Sequence, residues 1–285
     1  MTMSLGATIA KIRKMKKIKI RHICGDMIDP GNYWRFEKGQ ISVSADTFYQ
    51  ILNNLNISYE EFHYLHNESE QDFYTIWGRE LIRYYGTKDL DGLKEVSSKA
   101  LNEYQLTNQI KYHHLHLLTE IYLAAVTQKK ITKRLILPIK NYLIQCEEWG
   151  YYEVSLFSNT LFAFGDLSTI LTLYKKAYRT FSKTQKLHKT THEETLLSVN
   201  VICLCLEHQA LTEAKEINQM IQSQKTDERA MFSRTVLLWC DGLVDKLVNR
   251  NEQGLDKIES SFTIMETLSM THMLKMFKDW TQRLL

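Results

Sequence analysis

Seven cations, Lys11, Arg13, Lys14, Lys16, Lys17, Lys19 and Arg21, fall within the first 21 residues with no acidic residue among them. Such a cluster neutralises phosphates and displaces their counterions, which is the chemistry of nucleic-acid binding, while charge alone is equally compatible with a membrane surface. Just beyond lie Asn32, Tyr33, Trp34, Arg35 and Lys38. An asparagine amide and an arginine guanidinium can bond bidentately to adenine and guanine edges. Arg35 has three uses open to it: a base, a phosphate, or an ion pair with Glu37 or another acid. Trp34 either packs inward or stacks on sugar and thymine-methyl surface, whereas Phe36 reads as core. Much later, Asn159 and Asn200 stand among apolar neighbours, where an amide requires a partner. An interhelical bond would satisfy it, so would the unpaired backbone of an extended peptide, and simple exposure to water is the third alternative. Arg79 and Arg83, four apart on one helix face, can receive a carboxylate or bridge two domains.

Catalytic chemistry finds no comparable set of residues. His113, His114 and His116 are the densest histidine cluster, but only His113 and His116 share a helix side, and no cysteine or acid stands at metal-ligand spacing with them. There is no HExxH, no phosphate-binding glycine loop and no GxSxG. The reading is not an enzyme, with no catalytic residue, metal or cofactor. Cys24, Cys146, Cys203, Cys205 and Cys240 are odd in number and lack CxxC spacing, so they read as small hydrophobes in a reducing cytosol. No apolar run is long enough for a membrane span, and a cytoplasmic protein is expected.

The elements that must position these residues are helices. Two prolines and eleven glycines in 285 residues are too few for the turns of a sandwich or barrel. Ser4 to Met15 carries Leu5, Ile9, Ile12 and Met15 at helical spacing. Lys19 to Cys24 ends at Gly25, and Asp29 caps a helix that opens on Pro30 and closes at Lys38-Gly39. Ala45–Leu55 and Tyr59–His66 follow, the latter with Ser58 and Glu61 at capping-box spacing. Five short helices make one basic globule over residues 1–66, with a helix-turn-helix at 19–37. The polar run 67–72 reads as an exposed junction. Eleven longer helices are expected after it, near 72–84, 88–104, 108–127, 131–147, 151–163, 166–182, 190–208, 211–222, 228–247, 250–268 and 270–283. Their pairing predicts an all-α chain with a TPR-like α-solenoid over 67–285. Residues 1–66 hold nine Lys/Arg against six Asp/Glu, and the remainder 27 against 27, so the excess charge belongs to the globule.

The string from Leu5 through Phe62 resembles the DNA-binding domain of the Rgg/MutR/GadR group of Gram-positive transcription regulators, within the Xre/Cro-like class. Ile9, Ile12-Arg13, Ile18, Ile23-Cys24-Gly25-Asp26, Arg35-Phe36-Glu37-Lys38-Gly39, Ile41-Ser42-Val43, Leu52, Leu55-Asn56-Ile57-Ser58 and Glu61-Phe62 carry it. Ile20 and Pro30 replace polar residues common there, and Trp34 a small one. Trp77-Gly78 with Arg79 and Arg83, the string Phe157 to Phe162, and Asn200 extend the resemblance more weakly along the chain. It implies double-stranded DNA as one partner, met by Lys19, Arg21, Asn32, Tyr33, Trp34, Arg35 and Lys38. It also implies a short hydrophobic signalling peptide, as in quorum sensing, met by Arg79, Arg83, Tyr152, Asn159, Asn200 and Trp239. Tyr151, Phe157, Phe162 and Phe164 are read as further apolar walls or core. A homodimer is expected through the last helices, with Phe262, Met265, Leu268, Met270, Met273, Leu274 and Phe277 at the contact, and RNA polymerase is a further partner. The alternative is a DNA-binding regulator whose repeats bind a protein partner or serve only in dimerisation.

Overall fold

The computed structural model describes residues 4–66, 73–184, 191–224 and 227–285, and no strand occurs among them. Among the described residues sixteen α-helices follow one another. The first five are α1 (Leu5–Met15), α2 (Ile20–Cys24), α3 (Pro30–Glu37), α4 (Ala45–Asn54) and α5 (Tyr59–His66). Then come α6 (Phe73–Thr87), α7 (Leu90–Thr107), α8 (Ile110–Val126), α9 (Lys133–Gln145), α10 (Tyr151–Thr160), α11 (Leu167–Thr184) and α12 (Thr191–Glu207). The last four are α13 (Leu211–Gln222), α14 (Met231–Leu247), α15 (Gln253–Thr267) and α16 (Thr271–Leu284). Each expected helix is present within a few residues, except that the one read at 151–163 changes into a 3₁₀ turn, Leu161–Ala163. The expected junction at 67–72, and most of the break at 183–192, lie outside the described residues.

The backbone divides into two compact units, Met1–Gly92 and Leu93–Leu285. In the first, local signals act as the sequence suggests. Ser4 Oγ accepts from the Ala7 amide, Asp29 Oδ1 from the Gly31 and Asn32 amides, and Ser58 Oγ from the Glu61 amide. The core is Ile9, Ile12, Ile23, Cys24, Tyr33, Phe36, Ile51, Leu52, Leu55, Ile57 and Phe62. Ile20, where a polar residue was displaced, packs against that core. Helix α1 approaches α3 closely at Gly6, where an added Cβ would come to 1.8 Å from the Phe36 carbonyl oxygen.

The second unit has two kinds of helix. Buried residues of α8 run almost without a break from Leu117 to Tyr122, and those of α14 similarly from Thr235 to Val244. Those helices are covered on nearly all sides. By contrast α9 buries Ile136, Ile139 and Leu143, and α13 Ala214, Ile217 and Ile221, each a single stripe. The stripe-bearing helices therefore cover an inner set. The most extensive packing joins α14 to α15, then α12 to α13 and to α14. At Gly242 and Gly254 the backbones of α14 and α15 touch, since a Cβ on either would lie within 2.7 Å of the other's carbonyl oxygen. Ala177 and Ala214, fully buried, are the small residues such stacked pairs require. This is the TPR-like solenoid of the sequence reading.

Because neither the Phe36 carbonyl nor the α3 backbone behind it can move aside cheaply, Gly6→Ala should destabilise the first unit by about 2–3 kcal/mol. Urea unfolding of the full chain, followed by amide exchange in α1 and α3, would show it. Wild-type protection in both helices would contradict the close-approach account.

Candidate functional site

In the first unit, α2 and α3 form the helix-turn-helix, and the side chains of α3 separate into two groups. Tyr33, Phe36 and Glu37 are buried; Asn32, Trp34, Arg35 and Lys38 are exposed. Arg13 of α1 grips Glu37 with two bonds, Nε to Oε1 at 2.6 Å and Nη2 to Oε2 at 2.9 Å, and a third bond runs from Nη1 to the Ile18 carbonyl. The hydrogen bonds to Glu37 hold the Arg13 pKa above its ordinary value. Glu37 is thereby spoken for, and Arg35 makes no ion pair among the described residues; of its expected uses, pairing with Glu37 is removed. Trp34 is 48% exposed with the Lys38 ammonium 5.8 Å from its ring. Lys19 and Arg21 are exposed at the start of α2. The turn between the helices is held from behind, where Asn54 Nδ2 donates to the Ile23 carbonyl.

Tyr33 is a correction. Expected at the DNA surface, it is fully buried, and its hydroxyl makes no hydrogen bond among the described residues. Burial and the neighbouring Glu37 carboxylate raise its pKa. The 3.6-residue period that exposes Asn32 and Arg35 turns Tyr33 inward with Phe36 and Glu37.

In the second unit, exposed or half-exposed positions interrupt the burial of α12 at Glu193, Leu196, Asn200 and Leu204, spaced three, four and four. That is one helix face. On α10 the positions that are not buried are Tyr151, Tyr152, Glu153, Ser155, Ser158 and Asn159, of which Tyr151, Tyr152, Ser155 and Asn159 run along one side. The two faces meet where the Tyr151 hydroxyl donates to Glu193 Oε1 at 3.3 Å. Asn200 is exposed. Asn159 instead accepts from the Tyr122 hydroxyl and donates to the Ser155 carbonyl, so the interhelical bond weighed for it exists. Tyr152 is half-buried and its hydroxyl lies 2.8 Å from His114 Nδ1.

Trp239 is a second correction. Read as a groove wall, it is fully buried, with Nε1 donating to Thr281 Oγ1 and its ring 4.5 Å edge-on to Phe277. It joins α14 to α16 as core. Of the other aromatics read as wall or core, Phe157 and Phe164 are buried and Phe162 exposed. Phe262, Met265 and Phe277, read as dimer contacts, are buried within the chain itself, whereas Leu268 is 49% exposed and Met270, Met273 and Leu274 half-buried. Arg79 and Arg83 lie on α6, in the first compact unit. Arg83 pairs with Glu80 and lies over the Tyr84 ring.

The C-terminal domain of the HTH-type transcriptional regulator Rgg matches residues 98–279. The chain belongs to the Rgg family. The Streptococcus dysgalactiae SHP pheromone receptor Rgg2 is similar over 98% of this chain and 100% of its own, at 20% identity and a TM-score of 0.83. A putative transcriptional regulator from Listeria monocytogenes is similar over 100% and 98%, at 16% identity and a TM-score of 0.85. A bacterial peptide pheromone–receptor complex is similar over 98% of both chains, at 11% identity and a TM-score of 0.68.

Within this Rgg-family fold, no cluster of three His, Cys, Asp or Glu that could hold a metal occurs among the described residues. Nor is any described helix long and apolar enough to cross a membrane. The three histidines of α8 prove structural. His116 Nδ1 lies 2.9 Å from Ser97 Oγ, and His113 stacks on Tyr104. His114 is buried between the Tyr142 and Tyr152 rings, beside His113 and near Glu153. Sequence reasoning passed over Arg13 as anything but a phosphate contact, and over Glu193, although the 193, 196, 200, 204 spacing was there to be read.

Burial lowers the His114 pKa from 6.5 to about 4, with the His113 charge adding to the effect. The fold holds His114 neutral, while the unfolded chain takes up the proton first as pH falls. Its stabilising contribution is therefore complete above about pH 6.5 and is lost as pH falls towards 4. Relative to His114→Phe, the wild type should lose on the order of 3 kcal/mol of unfolding free energy across that window. Parallel stability curves for the two proteins would show that the ring is not held neutral.

Proposed function

We propose that this Rgg-family regulator binds duplex DNA through residues 1–66 and senses a short hydrophobic peptide through residues 67–285. On the DNA side Asn32 and Arg35 read base edges, Lys19, Arg21 and Lys38 hold phosphates, and Trp34 lies against the sugar surface. The observation that carries this assignment is that Arg13 occupies Glu37, while Arg35 is exposed on the outer face of α3 with no ion pair among the described residues.

On the sensing side the joined faces of α10 and α12 receive the peptide. Asn200 meets its backbone, Tyr151 and Tyr152 give apolar walls, and Asn159 contributes the bonding capacity that Tyr122 and Ser155 leave over. The fold is shared with a protein described as a pheromone receptor and with one solved as a peptide pheromone–receptor complex, which supports this assignment. The regulator acts in the cytoplasm as a homodimer joined through α15 and α16, where Leu268 and Leu285 are exposed, and contacts RNA polymerase from the promoter.

Affinity for duplex DNA should fall steeply between about 50 and 200 mM salt, and Arg35→Ala should reduce binding to the selected sequence more than to random duplex. Equal losses on both would make Arg35 a phosphate contact. Asn200→Ala should weaken binding of a hydrophobic peptide, identified by mass spectrometry of what copurifies, about tenfold, a change of about 1.4 kcal/mol. Titration by fluorescence anisotropy measures it; unchanged affinity would place the peptide elsewhere.

A further inference from the structure

Lys129, Lys130, Lys133 and Arg134 fall within six residues, across the turn from α8 to α9 and the first turn of α9, and all four are exposed. No acidic residue occurs between Glu120 and Glu147. Among the described residues none of the four side chains makes an ion pair or a hydrogen bond. Several other cations of the second unit have anionic partners: Lys99 with Glu95, Lys246 with Glu252, Arg229 with Asp227, Lys257 with Asp241 and Asp245. Lys140, in the same acid-free run, reaches Asp166 on the next helix pair. The four at 129–134 are thus a concentrated, uncompensated positive field on a body whose net charge is otherwise balanced. The other end of α9 has the opposite sign, with Glu147 and Glu148 both exposed.

We propose that this edge is a second, sequence-independent DNA-binding surface, taking backbone phosphates of duplex that flanks the site read by α3. Lysine is a hydrated point charge suited to phosphate and poorly suited to bidentate base reading, and three of the four are lysine. A chain already held on a duplex by its first unit experiences a high local concentration of phosphates. A weak cationic surface then acts as an intramolecular second site. Each phosphate neutralised adds about 0.9 to the magnitude of the slope of log affinity against log salt.

The inference rests on DNA binding by the first unit, and the test separates the two. The full chain is used to select its binding sequence from random DNA. Affinity is then measured on that sequence alone and on the same sequence with about twenty flanking base pairs on each side. The wild type is compared with the combined variant Lys129→Gln, Lys130→Gln, Lys133→Gln, Arg134→Gln. The expected result is unchanged affinity on the short duplex, a loss of about tenfold or more on the long one near 100 mM salt, and a salt slope on the long duplex shallower by about 1 to 2. All four side chains are exposed, so the variant keeps its helix content, which circular dichroism checks. Wild-type binding that ignores both flank length and the four substitutions would overturn this proposal alone. A wild type that binds no duplex would overturn the DNA reading and this one with it. Loss of promoter activation in a reconstituted polymerase assay, with affinity on both duplexes unchanged, would also overturn it and assign the surface to an acidic protein partner.

Discussion

The bidentate pair between Arg13 and Glu37 decides which way α3 faces. Both partners are largely buried, at 14% and 5% side-chain exposure, so neither can be left alone without a large penalty. The pair works only because Gly6 lets α1 lie against the α3 backbone, and because Phe36, the residue before Glu37, is embedded in the core. Once these contacts form, α3 has no rotational freedom. Tyr33 must be inside, and Asn32, Trp34, Arg35 and Lys38 outside. Lys16 tightens the arrangement by donating to the Leu55 and Asn56 carbonyls at the end of α4. Two of the seven N-terminal cations are therefore structural, although their charge made them look like phosphate contacts.

The repeat unit depends on a different constraint. Helices covered on nearly all sides need small residues where backbones meet and partners for every polar group they take inside. The meeting of Gly242 with Gly254 answers the first need. The second is answered by bonds between neighbouring helices: Tyr174 to Ser198, Tyr122 to Asn159, Asn218 to Asp241, and Gln224 to Glu194 and Tyr178. Apolar stacking alone would tolerate a shift of one helix along another. These polar pairs have fixed geometry, and a shift would break each of them.

Helix boundaries were legible because caps and breakers are local. Ser4, Gly25, Asp29, Pro30 and Ser58 act within a few residues of themselves, and every one does in the structure what its type suggests. Side-chain fate was less legible because it depends on residues far away in sequence. Trp239 looked like a wall for an apolar ligand, yet α16, some forty residues later in sequence, supplies Phe277 and Thr281 to enclose it. Phe262, Met265 and Phe277 exceeded what a terminal cap seemed to need until their burial within the chain accounted for them.

The same accounting separates residues that composition treats as equals. Arg13 and Arg35 are two guanidiniums that could each have taken the Glu37 carboxylate; Arg13 takes it, and the Arg35 side chain is exposed with no ion pair among the described residues. Asn159 and Asn200 are two amides in apolar helices; one is held by Tyr122 and its own helix turn, the other is exposed on the α12 face. A group whose bonds are already made inside the fold gives a ligand little, since a new bond must displace an old one of similar strength. A group kept in water at the edge of an apolar surface exchanges its water for a ligand and lets the surface around it be buried at the same time. By that argument Arg35 and Asn200 have more bonding capacity to offer a partner than Arg13 and Asn159, a distinction that spacing along the chain had no means to make.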